Sequence, residues 1–277
     1  MIKEQTLNNI IVKPLVSTVN NIDISKVKGW KLIPTVYNCS FLCAKRASGK
    51  TSTLAEILLR TSDKKTQFYI FCPTTKVDSS WIALIDKLES RGNIVNVFDS
   101  IMDDKVNLLN EIMADLSTPE DDDVKKNDNQ PYEIGIKINF GDEVKKEKKE
   151  YKPKKIAPKH IFVFDDISDE IKKNPAVVSL LKKSRHFLSA VYISSQYIHD
   201  LQPQSIKQLD YFLCFRSFSR DKLEHIYKLL DLSIGLDKFI DIYDYCFRDP
   251  NERFTFLYID VRNQTFRKNF NKTLILE

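Results

Sequence analysis

The stretch Ala44-Lys-Arg-Ala-Ser-Gly-Lys-Thr51 constrains this chain more than any other. It fits the phosphate-binding loop pattern A/G-x-x-x-x-G-K-S/T in its Ala-first form. That pattern needs a tight strand-to-helix turn whose backbone N–H groups converge on an anion at a helix N-terminus. The flanking residues supply it: Ser40–Ala44 is an apolar strand, and Lys50–Arg60 carries apolar residues at helical spacing. Gly49 permits the turn, Lys50 reaches the β- and γ-phosphates, and the Thr51 hydroxyl ligates Mg²⁺. Lys45, Arg46, Ala47 and Ser48 complete the loop and Ser52 continues it into the helix, so residues 44–52 are the expected ATP-binding segment. A basic surface turn would explain the cations but not the strand and helix on either side.

A second motif follows about 115 residues later. His160–Asp165 is a strand whose residues Ile161-Phe-Val-Phe end in two carboxylates, Asp165 and Asp166, the Walker B pattern. A buried strand of this kind delivers Asp165 to Mg²⁺ and leaves Asp166 where a general base could polarise an attacking water. The competing reading makes Asp166 the cap of the next helix. Further on, Tyr192-Ile-Ser-Ser-Gln196 ends a strand in a polar residue, and Gln196 suits a sensor of the γ-phosphate. Lys182-Lys-Ser-Arg-His186 is a basic cluster at a helix end, explained equally well by compensation of the helix dipole.

Alternation of strand and helix organises the rest. Gln67–Cys72, Asn93–Phe98, Ala190–Ser194 and Tyr211–Phe215 are expected strands. Ser79–Ser90, Val106–Leu116, Pro175–Lys183, Arg220–Leu232 and Leu236–Tyr245 are expected helices. In the helix at Ser79–Ser90, Trp81, Ile82, Leu84, Ile85 and Leu88 are expected to face inward. Phe254–Val261 and Thr265–Phe270 read as a C-terminal hairpin. The fold class is therefore α/β, a P-loop NTPase of RecA/ASCE-like type with a mainly parallel sheet sandwiched by helices. Residues 1–38 form an N-terminal extension and 39–277 the ATPase domain. Within that domain 118–159 is a charged, mobile insertion, where eight lysines face two glutamates between Lys145 and Lys159. Glu133–Phe140 could form one arm of a small hairpin there.

Composition excludes several other classes. No apolar run approaches the roughly 18–20 residues that cross a bilayer, and the N-terminus lacks the apolar core of a signal peptide. Membrane insertion and secretion are thus not expected. The five cysteines are an odd number, widely spaced and set in apolar runs, so they read as reduced core residues. A net charge of +5 permits nucleic-acid binding without demanding it.

Taken together, A-x-x-x-x-G-K-T, h-h-h-h-D-D, Arg185-His186 and the Ser194-Ser-Gln196 strand end resemble one group, with Leu201-Gln-Pro downstream. This is the viral genome-packaging ATPases of the FtsK–HerA superfamily, in the poxvirus A32-like branch of large DNA viruses and virophages. The resemblance covers about residues 40–220 and departs from the group at Lys207, where members often carry Arg. It implies an ATP- and Mg²⁺-dependent translocase that packages double-stranded DNA into a capsid. It further implies a homo-oligomeric ring, pentamer or hexamer, a capsid or portal-vertex partner, and residence in the viral factory of the host cytoplasm and in the virion. Arg185 is the expected trans-acting arginine, with Arg216 and Arg46 as alternatives. Two other readings stay open: a P-loop nucleotide kinase, and an ATP-switched assembly protein. A kinase would want an arginine-rich lid, yet no Arg occurs between Arg91 and Arg185.

Overall fold

Runs such as Phe-Tyr-Ile-Phe and Ile-Phe-Val-Phe are apolar on both faces, so they need cover from both sides. The computed structural model, which describes residues 22–118, 155–216, 218–252 and 254–275, gives them that cover. In chain order the first half comprises β1 (Cys39–Cys43), α1 (Lys50–Thr61), β2 (Gln67–Phe71), α2 (Ser79–Ser90), β3 (Val95–Phe98), β4 (Met102–Asp103), β5 (Val106–Asn107) and α3 (Leu108–Ser117). Then follow β6 (His160–Asp165), α4 (Ser168–Lys173), α5 (Pro175–Lys183), β7 (Ser189–Ser195), α6 (Pro203–Ile206) and β8 (Tyr211–Phe215). The chain closes with α7 (Arg220–Leu229), α8 (Leu236–Cys246), β9 (Phe256–Asp260), β10 (Thr265–Lys268) and β11 (Lys272–Leu274).

Among the described residues nine strands form one sheet in the order β11-β10-β9-β8-β1-β7-β6-β2-β3. The six from β8 to β3 are parallel, so their carboxyl ends share one edge. β9 runs antiparallel to β8, with Phe256 opposite Phe215, so it begins at that same edge. β7 lies between β1 and β6. This places an extra strand between the phosphate loop and the paired acids, as the reading of Gln196 requires.

Each strand sends alternate residues to opposite faces. Leu42 and Ala44 join Leu54, Ile57 and Leu58 of α1 and Trp81, Leu84 and Leu88 of α2. Phe41 and Cys43 face the other layer, built from α3, α5, α7 and α8 with Leu109, Leu180, Leu223 and Phe239. Burying such side chains contributes roughly 1.5–3 kcal/mol each. A row of rings reinforces that layer: Phe98 on Phe71 at 4.9 Å, and Phe71 on Phe164 at 5.0 Å. All five cysteines are free and buried, as expected. Burial pushes the Cys39 and Cys43 thiols up to about 12. Among the described residues no helix is long and apolar enough to cross a membrane.

The boundaries differ from expectation in identifiable places. Val106 belongs to the two-stranded β4–β5 ribbon, and α3 starts two residues later because the Asn107 side chain caps it through Asn110 N–H at 3.1 Å. Ile82 stands 42% exposed, since α2 buries only Trp81, Leu84 and Leu88. A third strand, β11, extends the C-terminal hairpin, pairing with β10 in antiparallel register. Residues 155–159 are attached to the body: Ile156 exchanges backbone hydrogen bonds with Lys26 and Lys28 at 2.7 and 2.8 Å, and Lys159 receives one from Gln67 at 2.9 Å. The remainder of the charged insertion, with its Glu133–Phe140 arm, lies outside the described residues.

Candidate functional site

The phosphate loop leaves β1 in register, Ala44 N–H donating to Ser195 O at 3.0 Å. Ala44 is fully buried, and its methyl fits the α1–α2 layer, which explains why Ala can replace Gly at this first position. Ser48 Oγ then donates to Lys45 O at 2.6 Å and tightens the loop. Ala47 and Gly49 both take positive φ, +62° and +89°. Gly49 caps α1 in the left-handed region, and a Cβ there would come within 2.5 Å of Phe254 Cδ1, so glycine is required on two counts. Lys50 and Thr51 follow in the first turn of α1, where unpaired N–H groups favour an anion.

Lys50 is held by both acids of β6. Its Nζ lies 2.9 Å from Asp165 Oδ1 and 2.7 Å from Asp166 Oδ1. Burial alone would lower the lysine pKa, but the Asp165 and Asp166 carboxylates outweigh it and raise the net value. The two acids differ in setting. Asp165 is buried and accepts a hydrogen bond on Oδ2 from Trp81 Nε1 at 3.1 Å. Its Oδ1 is the oxygen that meets Lys50 Nζ. Asp166 is about half exposed and sits at φ +55°, a left-handed position that Asp tolerates better than most residues. It does not cap a helix: α4 has Ile167 at its N-cap and no side-chain capping bond. The capping reading of Asp166 therefore fails, and both acids stand against Lys50.

The cleft above these groups has a volume of about 710 Å³ and is lined by Lys45, Arg46, Gly49, Lys50, Thr51, Asp166 and Gln196, among others. Gln196, exposed just past the end of β7, lines the same cleft as the phosphate loop. Thr51 and Asp165, whose Oδ1 Lys50 holds here, are the residues that could hold Mg²⁺ once Lys50 turns to the phosphates. Oxygen donors in small number suit that ion, which keeps several waters and binds partly through phosphates. Among the described residues no separate cluster of three or more His, Cys, Asp or Glu side chains assembles.

Arg185 is not at this edge. It precedes the amino end of β7, and β7 is parallel to β1, so Arg185 lies across the sheet from the phosphate loop. There it lines a cleft with Thr35, Val36, Tyr37 and Arg262. The expectation that it borders the active site is corrected: the connection from α5 to β7 must enter at the edge opposite the strand carboxyl ends. Arg216 does lie at the carboxyl edge, but its guanidinium is bound to the carbonyls of Phe247 at 2.8 Å, Asp249 at 2.5 Å and Pro250 at 3.4 Å. Arg46 is exposed in the cleft itself.

Two residues at the site escaped the sequence. Trp81 was expected only as a core residue of α2; its indole nitrogen also orients Asp165. Phe254 was expected as the start of a strand but stands 65% exposed against Gly49. Neither carries a local signal, because each meets the site through long-range packing.

A mainly parallel sheet flanked by helices, with a strand between the phosphate loop and the acids, defines an α/β fold of P-loop NTPase type. Solved structures share it. The genome-packaging NTPase B204 of Sulfolobus turreted icosahedral virus 2, in complex with AMP, matches at 15% identity and a TM-score of 0.52, covering 86% of this chain and 98% of that one. The same protein with AMPPCP matches at 15% identity and TM-score 0.50, covering 87% and 100%. B204 of Sulfolobus turreted icosahedral virus, described as a DNA-packaging ATPase, matches at 14% and 0.50, covering 84% and 96%. No family model and no curated protein matches this sequence.

Proposed function

We propose that this chain is an ATPase that drives double-stranded viral DNA into a capsid. The observation that carries the proposal is Lys50 held between Asp165 and Asp166 at the mouth of a phosphate-loop cleft. The likeness in fold to genome-packaging NTPases and the sequence resemblance to the FtsK–HerA group support the choice of substrate.

In this reading the N–H groups at the start of α1 bind the phosphate chain. Lys50 leaves the carboxylates for the β/γ-phosphates. Thr51 and Asp165 would hold Mg²⁺, which would supply neutralisation of charge on the transferring phosphoryl group. Asp166, released from Lys50, accepts the proton of the attacking water, while Gln196 contacts the γ-phosphate. Neighbouring subunits of a ring, pentameric or hexameric, complete each other's sites. Arg46 takes over as the candidate for that role, being exposed in the cleft. A capsid or portal-vertex protein is the partner, and the viral factory and virion are the places of action.

ATP turnover with and without double-stranded DNA tests this directly. The motor is stimulated several-fold or more by DNA. Stimulation by a nucleoside monophosphate would mean a kinase, and slow turnover unaffected by either would mean an ATP-switched assembly protein.

A further inference from the structure

A single exposed aromatic is ordinary on a protein surface. Phe254 is unusual because of where it is held. Its ring forms part of the wall of the phosphate cleft, packed so closely on Gly49 that an added Cβ would meet Cδ1 at 2.5 Å and Cγ and Cε1 at 3.3 Å. Described residues before and after it are held to the body of the domain. Arg216 binds the carbonyls of Phe247, Asp249 and Pro250 and lies 5.6 Å over the Phe247 ring. Glu252 pairs with Lys268 at 2.5 Å and accepts from Thr255 Oγ1 at 3.2 Å. Phe256 N–H donates to Asn269 Oδ1 at 3.0 Å.

Sheet order tells which end of a nucleotide would meet that ring. Across the sheet the order runs β9-β8-β1-β7-β6. The acids that draw Lys50 lie at the end of β6, so the terminal phosphates belong on that side of β1. Phe254 comes from the start of β9, on the other side. A nucleotide whose phosphates cross the loop from the β6 side therefore ends with its base near β8 and β9. Val77, the other strongly exposed apolar residue of the cleft, belongs to the connection from β2 to α2, on the phosphate side.

We propose that Phe254 is the platform on which the base of the bound nucleotide stacks. The inference rests on the nucleotide-site reading above and adds the subsite for the nucleoside. Stacking uses the π-face of a base and not its hydrogen-bonding edge, so ATP and GTP should both gain from it.

Calorimetric titration of the full chain with ATP, GTP and inorganic tripolyphosphate separates the possibilities. Phe254→Ala should weaken ATP and GTP by roughly tenfold, about 1.4 kcal/mol, with tripolyphosphate affected less than about twofold. Phe254→Trp should bind ATP at least as tightly as the wild type, with its indole emission changing on ATP and not on tripolyphosphate. Unchanged ATP affinity in Phe254→Ala would overturn the proposal. So would an equal loss for tripolyphosphate, which would make the ring a support for the loop. Tighter ATP binding would also overturn it, by making the ring a plug. A wild-type chain that binds neither ATP nor tripolyphosphate would instead overturn the nucleotide-site reading, and the stacking platform with it.

Discussion

At the carboxyl edge of the sheet one lysine stands between two carboxylates; at the amino edge one buried carboxylate faces arginine. Asp210 there accepts Cys39 N–H at 2.9 Å and pairs with Arg262 at 3.0 Å. Burial still raises its pKa above the ordinary value, although the Cys39 hydrogen bond and the charges of Arg262 and Arg185 pull it down. That arrangement ties the residue before β8 to β1 and to the turn after β9. At the other edge Lys50 has two partners and an open cleft above it, and Asp166 is about half exposed. At the amino edge the carboxylate is the buried partner and the arginine the exposed one; at the carboxyl edge the lysine is enclosed and one of its carboxylates, Asp166, faces the cleft.

Lys50→Ala attacks the open edge hardest. It should abolish measurable hydrolysis, a loss of at least about a hundredfold, and weaken ATP in a direct binding assay. A variant that still turns over ATP at near-normal rates would remove Lys50 from the chemistry.

Asp166→Asn should be more selective. ATP should still bind, while kcat falls roughly a hundredfold because the proton acceptor is neutralised. Single-turnover kinetics at saturating ATP checks this, and normal turnover would end the general-base assignment.

Trp81→Phe removes only the hydrogen bond to Asp165 Oδ2 and keeps most of the ring volume. The expected effect is a several-fold rise in the Mg²⁺ concentration for half-maximal activity, since a positioning bond of this kind is worth about 1–2 kcal/mol. An unchanged Mg²⁺ requirement would reduce Trp81 to packing.

Arg185→Ala sharpens the comparison by doing least. Both kcat and KM for ATP should stay within about twofold, because the side chain lies at the edge opposite the phosphate cleft. A large loss of turnover with normal ATP binding would return Arg185 to a role across a subunit boundary.

The site was partly legible because its motifs are local. A phosphate loop needs eight adjacent residues between a strand and a helix, and the paired acids need only one buried strand. Gln196 was legible for the same reason, as the end of an apolar run. Arg185 misled because sequence shows that it lies between a helix and a strand but not which end of the strand it meets. In a parallel sheet that end is the one away from the site. Phe254 and Trp81 were illegible as site residues, since their roles depend on β9 and α2 meeting elements far off in sequence. The third C-terminal strand was missed because Lys272–Leu274 is only three residues long.

That brevity has a consequence for association. The last strand of a sheet has unpaired backbone groups that can recruit a strand from another molecule. Here one margin is the three-residue β11, led by Lys272. The other is the four-residue β3, where the Asn96 side chain turns back to the Phe68 carbonyl at 3.1 Å. Short margins, one of them charged, make poor templates for strand addition. Among the described residues, these margins should therefore disfavour strand addition between copies of this chain.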